Sequence, residues 1–243
     1  MNNKIIKFYK IKFYNYSFIE LIDKLVKKKK SYLVAPAASS LSQIIIDKKH
    51  LIALQKSTVA IFDSGLFCII LLLLKGVRVK KNSGYLFLSK FVNYDLVKKE
   101  KILCVDPNKR DSLVNKKFLQ IKKFTKLKSY VAPIYNQNNV KDLKLLQLID
   151  LYKPKYILIN IGGGTQEKLA LFINQNSKNN QIILCLGAAI SFFTGQQAPI
   201  NSFFDRIYSG WLIRVLFNPL VFIPRVLKSF YLVKLFFSKE AFK

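Results

Sequence analysis

Continuous apolar segments recur along the first 199 residues, and each ends in a loop of small or polar residues. Runs of this kind are typical of parallel strands that a sheet buries on both faces. The runs are SYLVAP (31–36), STVAIFDSG (57–65), KILCVD (101–106), KLKSYVAP (126–133), KYILINIGGG (155–164) and QIILCLGAA (181–189). They predict the strands of one largely parallel sheet.

Segments with apolar residues at helical spacing lie between these runs. They cover residues 17–30, 39–57, 142–152 and 166–176, and Ser39 or Ser40 is a candidate cap for the second. Strands that alternate with helices indicate helices on both faces of a sheet. We therefore predict an α/β fold with a Rossmann-like, mostly parallel sheet and helices on both faces.

A further apolar run extends from Leu66 to Leu74. Its nine residues are too few to cross a bilayer as a helix, which takes about 20. We predict a buried helix here.

The alternation of strands and helices ends near residue 200. Residues 200–243 mix aromatic and aliphatic side chains with cations, and Pro219 and Pro224 are expected to break the segment into short helices. The sequence therefore predicts a core over residues 1–199 and a helical appendage over 200–243. Such a segment lies on an anionic membrane surface or packs on the core as an ordinary C-terminal helix, and both interpretations remain open at this point.

The chain carries 41 Lys and Arg residues against 13 Asp and Glu residues, a formal net charge of +28. A charge of this sign attracts phosphate on nucleotides, nucleic acids or anionic lipids. Lysine-rich usage also accompanies an A- and T-rich genome. Charge alone therefore does not select a partner.

Cysteine usage and the N-terminal sequence both favour a cytoplasmic protein. Cys68, Cys104 and Cys185 are far apart, with no pairing pattern or metal-ligand spacing. Residues 1–16 are basic but lack the sustained apolar core and the small-residue cleavage site of a secretory signal. The single histidine, His50, follows two lysines and is expected to be solvated on the surface.

Three loops follow predicted strands and carry candidate chemistry, because ligands of α/β sheets bind beyond the carboxyl ends of the strands. Gly162, Gly163 and Gly164 precede a helix, whose N-terminal N–H groups favour an anion. Gly187 lies in a second loop. Asp63 lies in a third, and its carboxylate is interpreted either as a general base or as a cap of the next helix.

These residues, in their order, resemble the bacterial N-acetylmannosaminyl- and N-acetylmannosaminuronyltransferase family. Its members serve the synthesis of wall teichoic acid, enterobacterial common antigen and capsule. The matching blocks are Asp63-Ser64-Gly65, the glycine turn that ends in Gln166-Glu167, LCLGAAISFFTGQQAP (184–199), and Trp211-Leu212-Ile213-Arg214-Val215 followed by Pro219 and Arg225.

The resemblance implies a Rossmann-like glycosyltransferase that uses a UDP-sugar donor and a polyprenyl-diphosphate-linked acceptor, with no metal and no other cofactor. Asp63 is then the base and Gln166 positions the sugar. Arg214 and Arg225 hold the diphosphate. The implied location is the cytoplasmic face of the cell membrane, with the protein peripherally bound to anionic lipid. The sequence is also compatible with a homo-oligomer.

The chain departs from the family pattern at several positions where a sugar contact is expected. Ala35 and Ala37 stand where the family has Thr and Asn, Ser191 stands where it has Asp, and Gly210 stands where it has Glu. The alternative hypothesis is therefore a divergent, non-catalytic relative that binds nucleotide-sugar or anionic lipid. A nucleic-acid-binding protein is suggested by charge alone and has no supporting motif, so we expect no specific nucleic-acid partner.

Overall fold

A computed structural model describes residues 4–137, 139–197, 215–216 and 218–243. Within these residues the fold is an eight-stranded sheet with helices. The strands are β1 (Ile5–Phe8), β2 (Ile11–Tyr14), β3 (Ser31–Val34), β4 (Val59–Ala60), β5 (Ile102–Asp106), β6 (Leu127–Val131), β7 (Tyr156–Ile159) and β8 (Ile182–Cys185). The helices are α1 (Phe18–Val26), α2 (Ala38–Leu41), α3 (Lys48–Lys56), α4 (Gly65–Lys75), α5 (Gly84–Val92), α6 (Asp95–Lys98), α7 (Lys109–Ile121), α8 (Leu143–Tyr152), α9 (Thr165–Asn176), α10 (Ala189–Phe193) and α11 (Pro219–Phe236).

The strand order is β1-β2-β4-β3-β8-β7-β5-β6, and all neighbours are parallel except β1 and β2. Alternate residues of β8 enter two separate hydrophobic clusters. Ile183 and Cys185 belong to one, whereas Ile182 and Leu184 belong to the other. The sheet is therefore buried on both faces, as the continuous apolar runs predicted. The predicted α/β class is confirmed.

The N-terminal hairpin of β1 and β2 was not predicted. Its two turn residues, Tyr9 and Lys10, both have positive φ angles, of 48° and 62°. This conformation matches the twist of a tight hairpin. Because neither residue is a glycine or an asparagine, the sequence carries no familiar signal for the turn.

The single helix predicted over residues 39–57 is two helices. α2 ends at Leu41, and α3 begins after Asp47, whose carboxylate accepts a hydrogen bond from the His50 backbone N–H (2.9 Å). An N-cap at Asp47 starts a new helix. Ala37, not Ser39 or Ser40, precedes α2.

The helix predicted at Leu66–Leu74 is present as α4, but it is buried on one face only. Phe67 and Leu71 of α4 are buried in the core, but Leu72 and Leu73 are 47% and 75% exposed. One face of α4 packs inward and the other faces outward.

The C-terminal segment also differs from its prediction. Pro224 does not divide it, since α11 runs unbroken from Pro219 to Phe236, but Pro219 stands at a boundary, because residues 215–216 are helical and Asn218 caps α11. Pro219 occupies the first turn, where its missing N–H costs nothing. α11 packs on α2 and α4, and its Leu232 and Phe236 join the core. None of the helices in the described ranges has the length and apolar character needed to span a membrane.

Candidate active site

A cavity of about 540 Å³ lies at the carboxyl edge of the sheet. Loops that follow β3, β4, β7 and β8 contribute to its wall, together with α11. The predicted site residues that line it are Asp63, Gly162, Gly163, Gly164, Gln166, Glu167, Gly187 and Arg225. Arg214, the remaining one, lies outside the described residues.

Asp63 is half-buried in the wall of this cavity. It does not cap α4, because the Ser64 hydroxyl accepts the hydrogen bond from the Phe67 N–H (3.1 Å) at that helix. The Asp63 Oδ1 atom instead accepts from the backbone N–H of Gly84, the first residue of α5 (2.8 Å). This bond holds the carboxylate in a fixed position against the cavity.

The glycine loop joins β7 to α9. Gly164 has a φ of +86°, a conformation that glycine adopts without strain, and its N–H donates to Glu167 Oε2 (2.6 Å). The N–H groups of Gly162 and Gly163 have no acceptor among the described residues, and both glycines are exposed to the cavity. These two groups are suitably placed for an anion at the start of α9.

Gln166 ties this loop to the loop after β8. Its Nε2 donates to Glu167 Oε1 (2.9 Å), and its Oε1 accepts from the Gly187 N–H (2.9 Å). The side chain is buried and both ends of its amide are engaged within the protein. A contribution of Gln166 to sugar placement therefore acts through the two loops that it joins.

His50 is buried, with 2% of its surface exposed, so the expectation of a solvated histidine was wrong. The helical period of α3 turns His50 toward α9 while Lys48 and Lys49 stay exposed. Its Nε2 lies 2.8 Å from the Ser40 hydroxyl oxygen, and its Nδ1 lies 3.9 Å from Glu167 Oε2.

Asp47 and Lys168 form an ion pair beside this histidine, with Lys168 Nζ 2.7 Å from Asp47 Oδ2. Partial burial alone would raise the pKa of Asp47, but the hydrogen bond and charge of Lys168 and the hydrogen bond from the His50 N–H lower it below its usual value. Lys168 also donates to the Gln137 carbonyl oxygen (2.9 Å). These contacts join α3 to α9.

Asp106, at the end of β5, is a buried carboxylate that the sequence analysis missed. Its Oδ1 accepts from Asn115 Nδ2 (2.7 Å) and Asn160 Nδ2 (2.8 Å). Burial raises the pKa of Asp106, against the opposing effect of these hydrogen bonds. Because Asn160 lines the cavity, Asp106 fixes part of its wall.

α11 closes one side of the cavity with Phe222, Arg225 and Lys228. The Arg225 guanidinium carbon lies 5.2 Å from the centre of the Phe222 ring, which is a cation–π distance. The sequence carried a signal for Arg225 only through its position in the family pattern. Lys228 and Phe222 were not assigned to the site.

The departures from the family pattern fall partly on the cavity. Ala35, Ala37 and Ser191 line it, whereas Gly210 lies outside the described residues. Ala35 and Ala37 give this wall methyl groups in place of polar side chains. Among the described residues no group of three His, Cys, Asp or Glu side chains is arranged to hold a metal ion.

The sequence was compared with known protein families. Residues 6–243 match the Glycosyl transferase WecG/TagA/CpsF family, which covers nearly the whole chain. No individually characterised protein matched the sequence.

Proposed function

Because the chain belongs to the WecG/TagA/CpsF glycosyltransferase family, we propose that it transfers an N-acetylhexosamine-type sugar from a UDP-sugar to a polyprenyl-diphosphate-linked acceptor. The sugar is N-acetylmannosamine or a relative, and the product serves cell-surface polysaccharide synthesis. The observation that carries this proposal is the single cavity that collects Asp63, the glycine loop and Arg225. It combines a carboxylate, free N–H groups and cations, as sugar transfer from a diphosphate requires.

Asp63 is the base in this proposal. Its carboxylate removes the proton of the acceptor hydroxyl as that oxygen bonds to the anomeric carbon of the sugar, and the bond from this carbon to the diphosphate breaks. Attack from the face opposite the leaving group inverts the anomeric configuration. The Gly84 N–H donates to Oδ1 of this carboxylate and holds it against the cavity.

The leaving diphosphate carries negative charge that the protein must stabilise without a metal in this proposal. The N–H groups of Gly162 and Gly163, the N-terminus of α9 and the cations Arg225 and Lys228 all face the cavity. Arg214 is proposed to join them. Preorganised dipoles and charges of this kind stabilise developing charge more strongly than mobile water does.

The acceptor is a membrane lipid in this proposal, so the protein must reach a bilayer surface. Two adjacent helices, α4 and α11, expose large apolar side chains, among them Leu73, Leu220 and Leu227. Cations such as Arg225 and Lys234 lie on the same helix as the last two. Apolar side chains with neighbouring cations suit the interface of an anionic membrane, which favours peripheral binding at its cytoplasmic face.

The second candidate is a non-catalytic relative that binds nucleotide-sugar or anionic lipid. It is favoured by Ala35 and Ala37, whose methyl groups replace polar side chains of the family pattern in the cavity wall. The transferase and a relative that binds nucleotide-sugar differ in turnover but not in donor binding.

A screen of UDP-sugars against a short-chain prenyl-diphosphate-linked acceptor tests the proposal. Release of UDP together with a glycosylated lipid supports it, and Asp63→Asn serves as the inactive control. Binding of UDP-sugars without turnover for any acceptor would favour the non-catalytic relative. No binding of any UDP-sugar would contradict the transferase and would leave only a relative that binds anionic lipid.

A further inference from the structure

Ser40, His50 and Glu167 form a chain of polar side chains in the wall of the cavity. Ser40 Oγ is 2.8 Å from His50 Nε2, and His50 Nδ1 is 3.9 Å from Glu167 Oε2. All three line the cavity, but Glu167 and His50 are buried, whereas Ser40 is half-exposed. The base and leaving-group contacts described above do not use this chain.

The surroundings of His50 determine which ring nitrogen carries the proton in the neutral ring. Nδ1 is buried and has no hydrogen-bond partner among the residues that the structure describes, and the carboxylate oxygen Glu167 Oε2 lies 3.9 Å from it. A bare Nδ1 lone pair would face the negative oxygen and repel it, whereas an Nδ1–H is attracted to it. The proton therefore belongs on Nδ1, and Nε2 is an acceptor.

This tautomer fixes the direction of the bond to Ser40. Since Nε2 has no hydrogen, the Ser40 hydroxyl must donate to it, and the lone pairs of Ser40 Oγ are then left for the cavity. Ser40 Oγ also lies beside the glycine loop, 4.0 Å from the point where a side-chain carbon on Gly163 would stand. Oγ is thus an oriented hydrogen-bond acceptor next to the proposed phosphate site.

We propose that Ser40 recognises a hydroxyl or amide N–H group of the donor sugar, and that His50, backed by Glu167, is the positioning residue that keeps Ser40 an acceptor. An acceptor atom is repelled by phosphate oxygens, so the contact is made with the sugar and not with the diphosphate. This inference rests on the proposed function, since it assumes a UDP-sugar in the cavity. It assigns sugar selection to Ser40, which lies outside the sequence blocks that carry the family resemblance.

The assignment of Ser40 to the donor sugar is tested by calorimetry. The ligands are UDP, UDP-N-acetylmannosamine, UDP-N-acetylglucosamine and monodeoxy analogues of the two sugars. Ser40→Ala should weaken binding of the better UDP-sugar by about three- to tenfold, the range of one net hydrogen bond, and leave UDP binding unchanged. The wild type should bind one deoxy analogue more weakly than its parent sugar, and Ser40→Ala should not discriminate between the two. Ser39→Ala, the neighbouring hydroxyl, is the matched control and should retain the discrimination.

His50→Gln separates positioning from a purely structural effect. It should lose the same discrimination, and the double variant with Ser40→Ala should bind the donors no more weakly than either single variant. Thermal unfolding establishes whether His50→Gln is folded. If it is not folded, the binding of the monodeoxy UDP-sugars to the wild type and to Ser40→Ala decides whether Ser40 contacts the sugar.

Three results have distinct meanings. If wild-type protein binds neither UDP nor any UDP-sugar, the proposed donor is wrong. If UDP-sugars bind and Ser40→Ala matches the wild type for every analogue, the Ser40 assignment alone is wrong. Equal weakening of UDP and UDP-sugar by Ser40→Ala would also overturn it, because Ser40 would then donate to phosphate.

Discussion

The backbone N–H of Gly84 donates to the carboxylate of Asp63 over 2.8 Å, which joins the start of α5 to the loop after β4. Gly84 also packs closely on the loop after β8, since a side-chain carbon at Gly84 would stand 3.0 Å from the Leu186 carbonyl oxygen. The contact holds one oxygen of Asp63 and orients the other. Because an asparagine oxygen can accept the same hydrogen bond, asparagine is the substitution chosen to test Asp63.

Asp63→Asn should lower sugar transfer by roughly 10²–10⁴-fold, because an amide cannot accept the proton of the acceptor hydroxyl. The asparagine carbonyl oxygen still accepts from Gly84, so the loop and donor binding should persist. Initial rates and calorimetric donor affinity measure the two effects. Turnover near the wild-type level would rule out Asp63 as the base.

Arg225→Ala should reduce turnover on the order of 10²-fold, since it removes a cation from the cavity that receives the diphosphate charge. Lys234→Ala is the matched control, because Lys234 lies on the same helix but does not line the cavity. Steady-state kinetics of both variants with one donor provide the comparison. Equal losses would mean that the charge of α11 acts only at long range.

A chelator should leave activity intact if backbone N–H groups and cations alone stabilise the leaving group. The rate of sugar transfer is measured before EDTA treatment and again after EDTA treatment and dialysis. Loss of activity that Mg²⁺ or Mn²⁺ restores would contradict the metal-independent mechanism.

Replacing Leu220, Leu227 and Phe230 together by serine should weaken binding to anionic liposomes by at least about tenfold, because three exposed apolar side chains of α11 are lost. Leu232 and Phe236, which anchor the helix in the core, remain. Cosedimentation with vesicles measures the effect. Serine at the exposed Leu113 and Leu151 is the control, and an equal loss there would contradict a membrane contact on α11.

Asp106 should make stability depend on pH, because burial raises its pKa in the folded state. The folded protein then holds this proton more tightly than the unfolded chain does. The contribution of protonated Asp106 to folding stability is fully present below the unfolded pKa of about 3.9. It is lost as pH rises through the folded pKa. Asp106→Asn should therefore gain stability relative to the wild type as pH rises from 4. Urea unfolding at several pH values measures this, and a constant difference between the two proteins would contradict it.

The strand ends were predictable because burial on both faces leaves a continuous apolar run in the sequence. β7 ends at Ile159, three residues before Gly162, and β8 ends at Cys185, two residues before Gly187. Since parallel strands place their carboxyl ends at one edge, Gly162 and Gly187 were expected at the same edge. Asp63 followed from the same rule, although β4 itself is only two residues long.

His50 shows what local sequence cannot decide. Its neighbours Lys48 and Lys49 are exposed, but helical geometry turns the third residue of α3 toward α9. Its burial depends on Glu167 and Lys168, which lie more than 100 residues later in the chain. No pattern around residue 50 records those partners.

The sequence by itself determined the α/β class, the parallel strands and the loops that carry Asp63 and the glycines, because each of these leaves a local signature in polarity or turn chemistry. The tertiary structure alone decided that Arg225 lines the same cavity as Asp63 and that Ser40 contacts His50 in the cavity wall. It also decided that α11 divides its apolar side chains between the core and the surface. These relationships depend on how distant segments pack, and packing is set by the summed burial of many side chains rather than by any short run of residues.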